Sequence, residues 1–410
     1  MDGTWQNIAA GDKLTNVGRI ALDVRPVHES VQQLVFYSPG IGAETFLGKA
    51  EDRIFKGATG EGAEEQIVTA YLFLSLNFTP GDEIFLFGFS RGAFCCRSLA
   101  GLIRACGIVR REHADKVREA FEVYRRNVQQ DPSAEQRRRE FRENYAIAPV
   151  YDPKMETDQS LSCSIAYMGV FDTVVMRGVI RPNAKATVHP KYAFHDLKLG
   201  DHVKSARQAL AVDERRNTLK PTFWSNLEEL NRALGRDPQD PEAPYQQKWF
   251  TGAHGDVGGG MSDELSEVSR KWVKAGAERA GLSFDGEPLT LSREAEQFVF
   301  LRGQIETPKG LLNIGGLADR LAFPEPIDPS EEPATMMGKT MKLLRAPFQP
   351  RSEPSAEDLA RLVHVSALMR AFAPELSPRY RPKTLAPLVK ALEADEAALS
   401  RFLAKWSEGL

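Results

Sequence analysis

The chain has 410 residues, a formal charge of −3 and 42% hydrophobic residues. That is enough to bury a large core, and it lacks the basic excess that would point to nucleic acid as a partner. Four cysteines, two of them adjacent at Cys95 and Cys96, form neither a disulfide framework nor a zinc spacing; they read as small buried apolar residues of a reducing compartment, and neither metal nor other cofactor is expected.

In chain order, Thr15–Val24 reads as a helix, Gln33–Tyr37 as a strand and Glu64–Phe78 as a second helix. From Ile84 a continuous apolar run suited to a buried strand ends abruptly in Gly88-Phe89-Ser90-Arg91-Gly92, after which a helical pattern runs from Gly92 to Cys106. Strand, tight turn and helix in that order are what a nucleophile elbow requires. The serine sits at the strained turn, and Gly88 and Gly92 let strand and helix approach closely. The helix dipole then aims its positive end at Ser90.

Residues 107–160 read as a helical insertion. Its stretch from Arg110 to Asn144 is dense in Arg and Glu with few apolar residues, the pattern of exposed helices laced by ion pairs, with a basic face for anionic headgroups as the alternative. Ser162–Phe171 is an apolar strand candidate with Asp172 at its C-terminal end. Residues 174–245 are long enough for a cap, and include Asp213 and Glu214 beside two arginines. Gln247–Thr251 is a short strand candidate leading to His254, which opens a loop of Gly255-Asp256-Val257-Gly258-Gly259-Gly260. Leu265–Ala280 is helical in pattern. The Pro-rich span 323–355 reads as a flap or loop carrying Met336, Met337 and Met341. Its Gly338-Lys339-Thr340 is not a phosphate loop, because the leading glycine would have to stand at Pro333. No internal repeat and no membrane-spanning apolar run is seen, and no signal peptide is read at the start.

Chemistry in an open parallel sheet gathers at the carboxyl ends of strands. A serine nucleophile needs a later acid and then a histidine. Among seven histidines, His254 is the one that follows a strand on a glycine-rich loop. Ser90, Asp172 and His254 are therefore the candidate nucleophile, acid and base. Asp213 and Glu214 are the rival acids, although their arginine neighbours favour a local ion-pair cluster, and Asp256 is a further alternative that more readily shapes its glycine loop. The expected fold is a single α/β domain over 1–410, a mostly parallel sheet with helices on both faces and helical cap insertions.

The sequence also resembles a known family. Asp2-Gly3-Thr4-Trp5-Gln6-Asn7, Tyr37-Ser38-Pro39-Gly40-Ile41-Gly42, Gly88 to Phe94, Gly169-Val170-Phe171-Asp172-Thr173-Val174 and Trp249-Phe250-Thr251-Gly252-Ala253-His254-Gly255-Asp256 carry the likeness. They are similar to the α/β-hydrolase domain of type VI secretion phospholipase effectors and their uncharacterised relatives. Val363 to Leu368 and Tyr380 to Leu385 resemble that family's closing motifs. The resemblance implies the same triad of Ser90, Asp172 and His254. It implies a phospholipid substrate, transient contact with a membrane surface, and a secretion apparatus and an immunity protein as partners. Members of the family begin with an apolar strand ahead of Asp-Gly-Thr; here that segment starts at Met1-Asp2, so the strand is expected to be missing, trimmed away or lost to a mis-assigned start.

The expected activity is therefore carboxylic ester hydrolysis, with an oxyanion held by the N–H of Arg91 and one from Gly3 or Thr4. A hydrolase of small soluble esters or thioesters, and a non-catalytic binding module on the same fold, are the alternatives. The protein is expected in the cytoplasm where it is made, any export following a route independent of a signal peptide.

Overall fold

The structure, a computed structural model, describes residues 1–3, 6–8, 14–41, 62–126, 131–147, 163–174, 198–214, 216, 219, 221–238, 240 and 242–286. The Met-rich span 323–355, Thr4, His189, His195 and His364 lie outside the described residues.

Helix α1 (Asn16–Asp23) starts at Thr15, whose Oγ1 accepts from Gly18 N at 3.0 Å, the usual way a threonine satisfies an orphan first-turn amide. A minimal antiparallel hairpin follows, β1 (Val27–His28) with β2 (Val31–Gln32). Helix α2 (Ala63–Asn77) buries Ile67 and Tyr71, and the Tyr71 hydroxyl donates to Gly107 O at 2.9 Å. Strand β3 (Ile84–Phe89) runs into α3 (Arg91–Cys106) with Ser90 alone between them. Helices α4 (Val117–Arg125) and α5 (Ala134–Tyr145) bury Phe121, Tyr124 and Phe141. Their outer faces carry the expected ion pairs, such as Lys116–Glu119 at 3.0 Å and Arg125–Glu122 at 3.0 Å.

Strands β4 (Ile165–Phe171) and β5 (Ala206–Ala211) are buried along their whole length. Helix α6 (Leu227–Ala233) precedes β6 (Tyr245–Phe250), and α7 (His254–Gly258) and α8 (Asp263–Arg279) follow it. The four strands lie in the order β3-β4-β5-β6, every pair parallel. On β4, Met168 and Val170 enter one core with α2 and α3, while Tyr167 and Phe171 enter the other with α1 and α8. A parallel sheet covered on both faces demands this, since alternate side chains need apolar neighbours on opposite sides. The fold is thus α/β-hydrolase-like. Cys95, Cys96, Cys106 and Cys163 are unpaired and buried, and burial pushes the Cys106 and Cys163 thiols up to about 12.

Two expectations need correction. The span 174–245 is not wholly a cap, because β5 within it is an inner strand of the sheet. Residues 33–37, expected as a strand, belong to no sheet among the described residues. Beside β3, Met1 N donates to Phe87 O at 2.8 Å and Phe89 N to Met1 O at 3.3 Å, while Asp2 N donates to Ser38 O at 3.0 Å. Gln33 to Tyr37, Met1 and Ile84 to Phe87 line an apolar groove of about 720 Å³, and among the described residues no strand pairs with Gln33 to Tyr37. No helix among the described residues is long and apolar enough to cross a membrane.

Candidate active site

Each parallel strand delivers one part of the site from its C-terminal end. Ser90 follows β3, Asp172 follows β4, Asp213 and Glu214 follow β5, and His254 follows β6. Because Phe89 and Phe171 are register partners, Ser90 and Asp172 stand side by side, and Ser90 N donates to Phe171 O at 2.9 Å.

Ser90 has φ 57° and ψ −122°, a conformation that side-chain-bearing residues rarely adopt. The strain is imposed by the approach of α3 to β3. A Cβ at Gly88 would stand 2.6 Å from Ala93 Cα, and one at Gly92 would stand 2.4 Å from both Met1 O and Asp2 O. A side chain at Gly88 would push α3 off β3, and one at Gly92 would displace the Met1–Asp2 backbone packed against the turn. The positive end of the α3 dipole, opening at Arg91, therefore faces Ser90.

Asp172 is fully buried and also has positive φ, at 39°. Its Oδ1 accepts from Ala211 N at 3.0 Å, and its Oδ2 lies 2.7 Å from His254 Nδ1. An ionised carboxylate only accepts, so Nδ1 carries the proton and Nε2 the lone pair, the tautomer a general base needs. The His254 ring also packs against Phe89, with ring centroids 4.7 Å apart, which ties the histidine to the residue just before the serine. That role of Phe89 was not legible in advance, since in the sequence it is only the variable position of the elbow.

The alternative acids face elsewhere. Asp213 Oδ2 accepts from Gly252 N at 2.7 Å and Asp256 Oδ2 from Ala253 N at 2.9 Å. Glu214 is buried, pairs with Arg216 at 2.8 Å, and accepts from His254 N at 3.1 Å. The ion pair was expected; its hold on the histidine backbone was not. Among the other described histidines, His28 lies in β1, His113 in a short 3₁₀ turn, and buried His202 makes a 2.9 Å bond with Ala100 O.

The oxyanion expectation for Gly3 requires correction. Its N–H donates to Asp2 Oδ1 at 2.7 Å, so in this arrangement it serves the turn. Asp2 Oδ2 also accepts from Tyr37 Oη at 2.6 Å and Thr15 Oγ1 at 2.8 Å. Burial raises the Asp2 carboxyl above its ordinary range, and these three donors oppose that rise.

A family model described as T6SS, Phospholipase effector Tle1-like, catalytic domain matches residues 1–275. The uncharacterized Saccharomyces cerevisiae protein YEL023C is 27% identical over 237 residues, covering 55% of this chain and 32% of that protein. A solved structure of an uncharacterized protein from Pseudomonas aeruginosa is 15% identical, with 78% of this chain and 52% of that one covered and a TM-score of 0.35. The structure of the Tle1 effector bound to the VgrG spike from the type 6 secretion system is 19% identical, with 60% and 40% covered and a TM-score of 0.25. The chain thus spans about a third of the yeast relative and about half or less of the two structural neighbours.

Proposed function

The chain belongs to the Tle1-like phospholipase effector catalytic-domain family of the type VI secretion system, and on that premise we propose that it is a serine hydrolase that cleaves carboxylic esters of phospholipids. The observation that carries this reading is the 2.7 Å contact of Asp172 Oδ2 with His254 Nδ1 beside a serine on a strained strand-to-helix turn.

In the proposed reaction Ser90 Oγ attacks the ester carbonyl carbon while His254 Nε2 takes its proton, and Asp172 stabilises the resulting imidazolium. The carbonyl oxygen becomes an oxyanion facing the Arg91 N–H at the start of α3. Collapse expels the alcohol portion, which receives the proton from His254 and leaves an acyl-serine. Water, deprotonated by His254, attacks that ester and releases the fatty acid. The same proposal extends to transient contact with a lipid surface, and to the secretion apparatus and immunity protein that the effector family implies as partners.

A fluorophosphonate probe is expected to label Ser90 alone, and Ser90→Ala to lower turnover by roughly four to six orders of magnitude. The test compares the two proteins on phospholipid vesicles and on a short-chain soluble ester. Turnover of the soluble ester only would favour a small-ester hydrolase. No labelling and no turnover would leave a binding module and overturn the proposal.

A further inference from the structure

Three consecutive main-chain amides at the base of the histidine loop each meet a different carboxylate. Gly252 N donates to Asp213 Oδ2 at 2.7 Å, Ala253 N to Asp256 Oδ2 at 2.9 Å and His254 N to Glu214 Oε2 at 3.1 Å. We infer that Asp213, Glu214 and Asp256 form a backbone clamp that positions His254 for proton transfer, and that they are positioning residues rather than members of the catalytic set. The inference rests on the serine-hydrolase reading.

The physical need for a clamp follows from the sequence around the histidine. Gly252 has φ +114°, and a Cβ there would stand 2.6 Å from the Asp256 Cβ, so glycine is required and the hinge is intrinsically free. The helix that His254 opens has only five residues, too short to fix its own start, and its first amides have no carbonyl four residues back. Ala253, the N-cap residue, has no side-chain acceptor to supply. Carboxylates meet the need with charge-assisted bonds. Asp256 reaches back from within the helix, while Asp213 and Glu214 reach across from the end of the neighbouring strand β5.

The clamp is itself anchored. Asp213 N donates to Gly252 O at 3.1 Å, so that residue grips the hinge from both sides. Glu214 Oε1 accepts from Arg216 N at 2.7 Å and Nε at 2.9 Å, which fixes the carboxylate in a buried fork. The division of labour is by atom: Asp172 orients the imidazole ring, and the three other carboxylates place the main chain that carries it.

The test measures, on the full chain, the rate at which a fluorophosphonate labels Ser90, and kcat and KM for a short soluble ester, with melting temperatures alongside. Glu214→Ala is expected to lower kcat and the labelling rate by about 10- to 100-fold, the loss that a misplacement near 1 Å produces. KM should stay within about twofold, since the change acts on proton transfer and not on binding. Glu214→Gln keeps an oxygen able to accept from His254 N–H but turns its NH2 toward the Arg216 donors, so it should recover only part of the loss. Asp213→Ala, at a half-buried position, asks the same question where folding is less at stake. Unchanged labelling in well-folded Glu214→Ala and Asp213→Ala overturns the clamp. So does a joint loss of kcat and KM that follows the melting temperature in both variants. Absence of labelling in the unaltered chain overturns the hydrolase reading instead, which keeps the two failures distinct.

Discussion

Two side-chain-bearing residues of the site, Ser90 at φ 57° and Asp172 at φ 39°, hold backbone conformations that cost about 1–3 kcal/mol each, and such conformations persist only where neighbours over-determine them. For Ser90 the constraint comes from Phe171 O on one side and Phe94 N on the other, at 2.9 and 3.3 Å. For Asp172 it comes from its N–H on Ala209 O at 2.7 Å and its carboxylate on Ala211 N and His254. Asparagine tolerates positive φ and keeps an oxygen for Ala211 N–H, so Asp172→Asn should fold normally. Its amide would donate to His254 Nδ1 and reverse the tautomer, with an expected loss in kcat of about four orders of magnitude. Asp213→Asn, whose carboxylate accepts from Gly252 N and not from the imidazole, should lose far less. Kinetics on a soluble ester with circular dichroism of both variants checks this, and the reverse ranking would reassign the orienting acid.

The elements show which parts of this fold can be seen in a sequence. Strands β3 and β4 were legible because their apolar runs stop at a residue with a chemical purpose, Ser90 or Asp172. Strand β5 was not, because Ala206-Arg207-Gln208-Ala209-Leu210-Ala211 has poor strand character and two long polar side chains. Those side chains are accommodated by partners distant in sequence: Arg207 lies over the Trp272 ring at 5.0 Å, and Gln208 Nε2 donates to Thr222 O at 3.0 Å. The clamp was hidden for the same reason, since Asp213 and Glu214 meet the histidine loop only when β5 lies beside β6. Gln33 to Tyr37 misled in the opposite direction, an apolar run whose ladder partner is absent among the described residues. The Met1 bonds to Phe87 O and Phe89 N place the Phe87 and Phe89 main-chain groups on the edge of β3 turned away from β4. Val31, Leu34 and Val35 flank that groove and are exposed. An added run of four alternating Val and Ile ahead of Met1 should continue the parallel ladder, slow hydrogen exchange at Phe85 and Phe87 and raise the melting temperature. A Ser-Gly run of equal length should do neither, and equal exchange in the two proteins would show that the edge does not accept a strand.

At the scale of the whole molecule, two buried titratable groups give stability a pH dependence whose signs oppose each other. His202 joins the loop before β5 to α3, its Nε2 bonded to Ala100 O at 2.9 Å. Burial first, and then the nearby Arg104 charge, lower its pKa from 6.5 to about 4. Between those values the unfolded chain binds a proton that the folded chain refuses, so stability falls as pH drops through this window. At pH 4.5 the loss amounts to about 2–3 kcal/mol relative to pH 7. Asp2 acts the other way. Burial raises its folded pKa above the unfolded value of 3.8, so the folded chain takes up the proton first, and acidification through that range relieves the penalty of a buried charge. His202→Phe should therefore flatten the decline in unfolding free energy from pH 7 to pH 4.5, even if it lowers stability throughout by removing the bond to Ala100 O. Asp2→Asn should steepen the acid end, because the compensating proton uptake is gone. Urea unfolding followed by tryptophan fluorescence at pH 7.0, 5.5 and 4.5 measures all three slopes. A His202→Phe slope equal to that of the unaltered chain would mean that the ring gains a proton without leaving its site, and that the acid sensitivity lies in other groups.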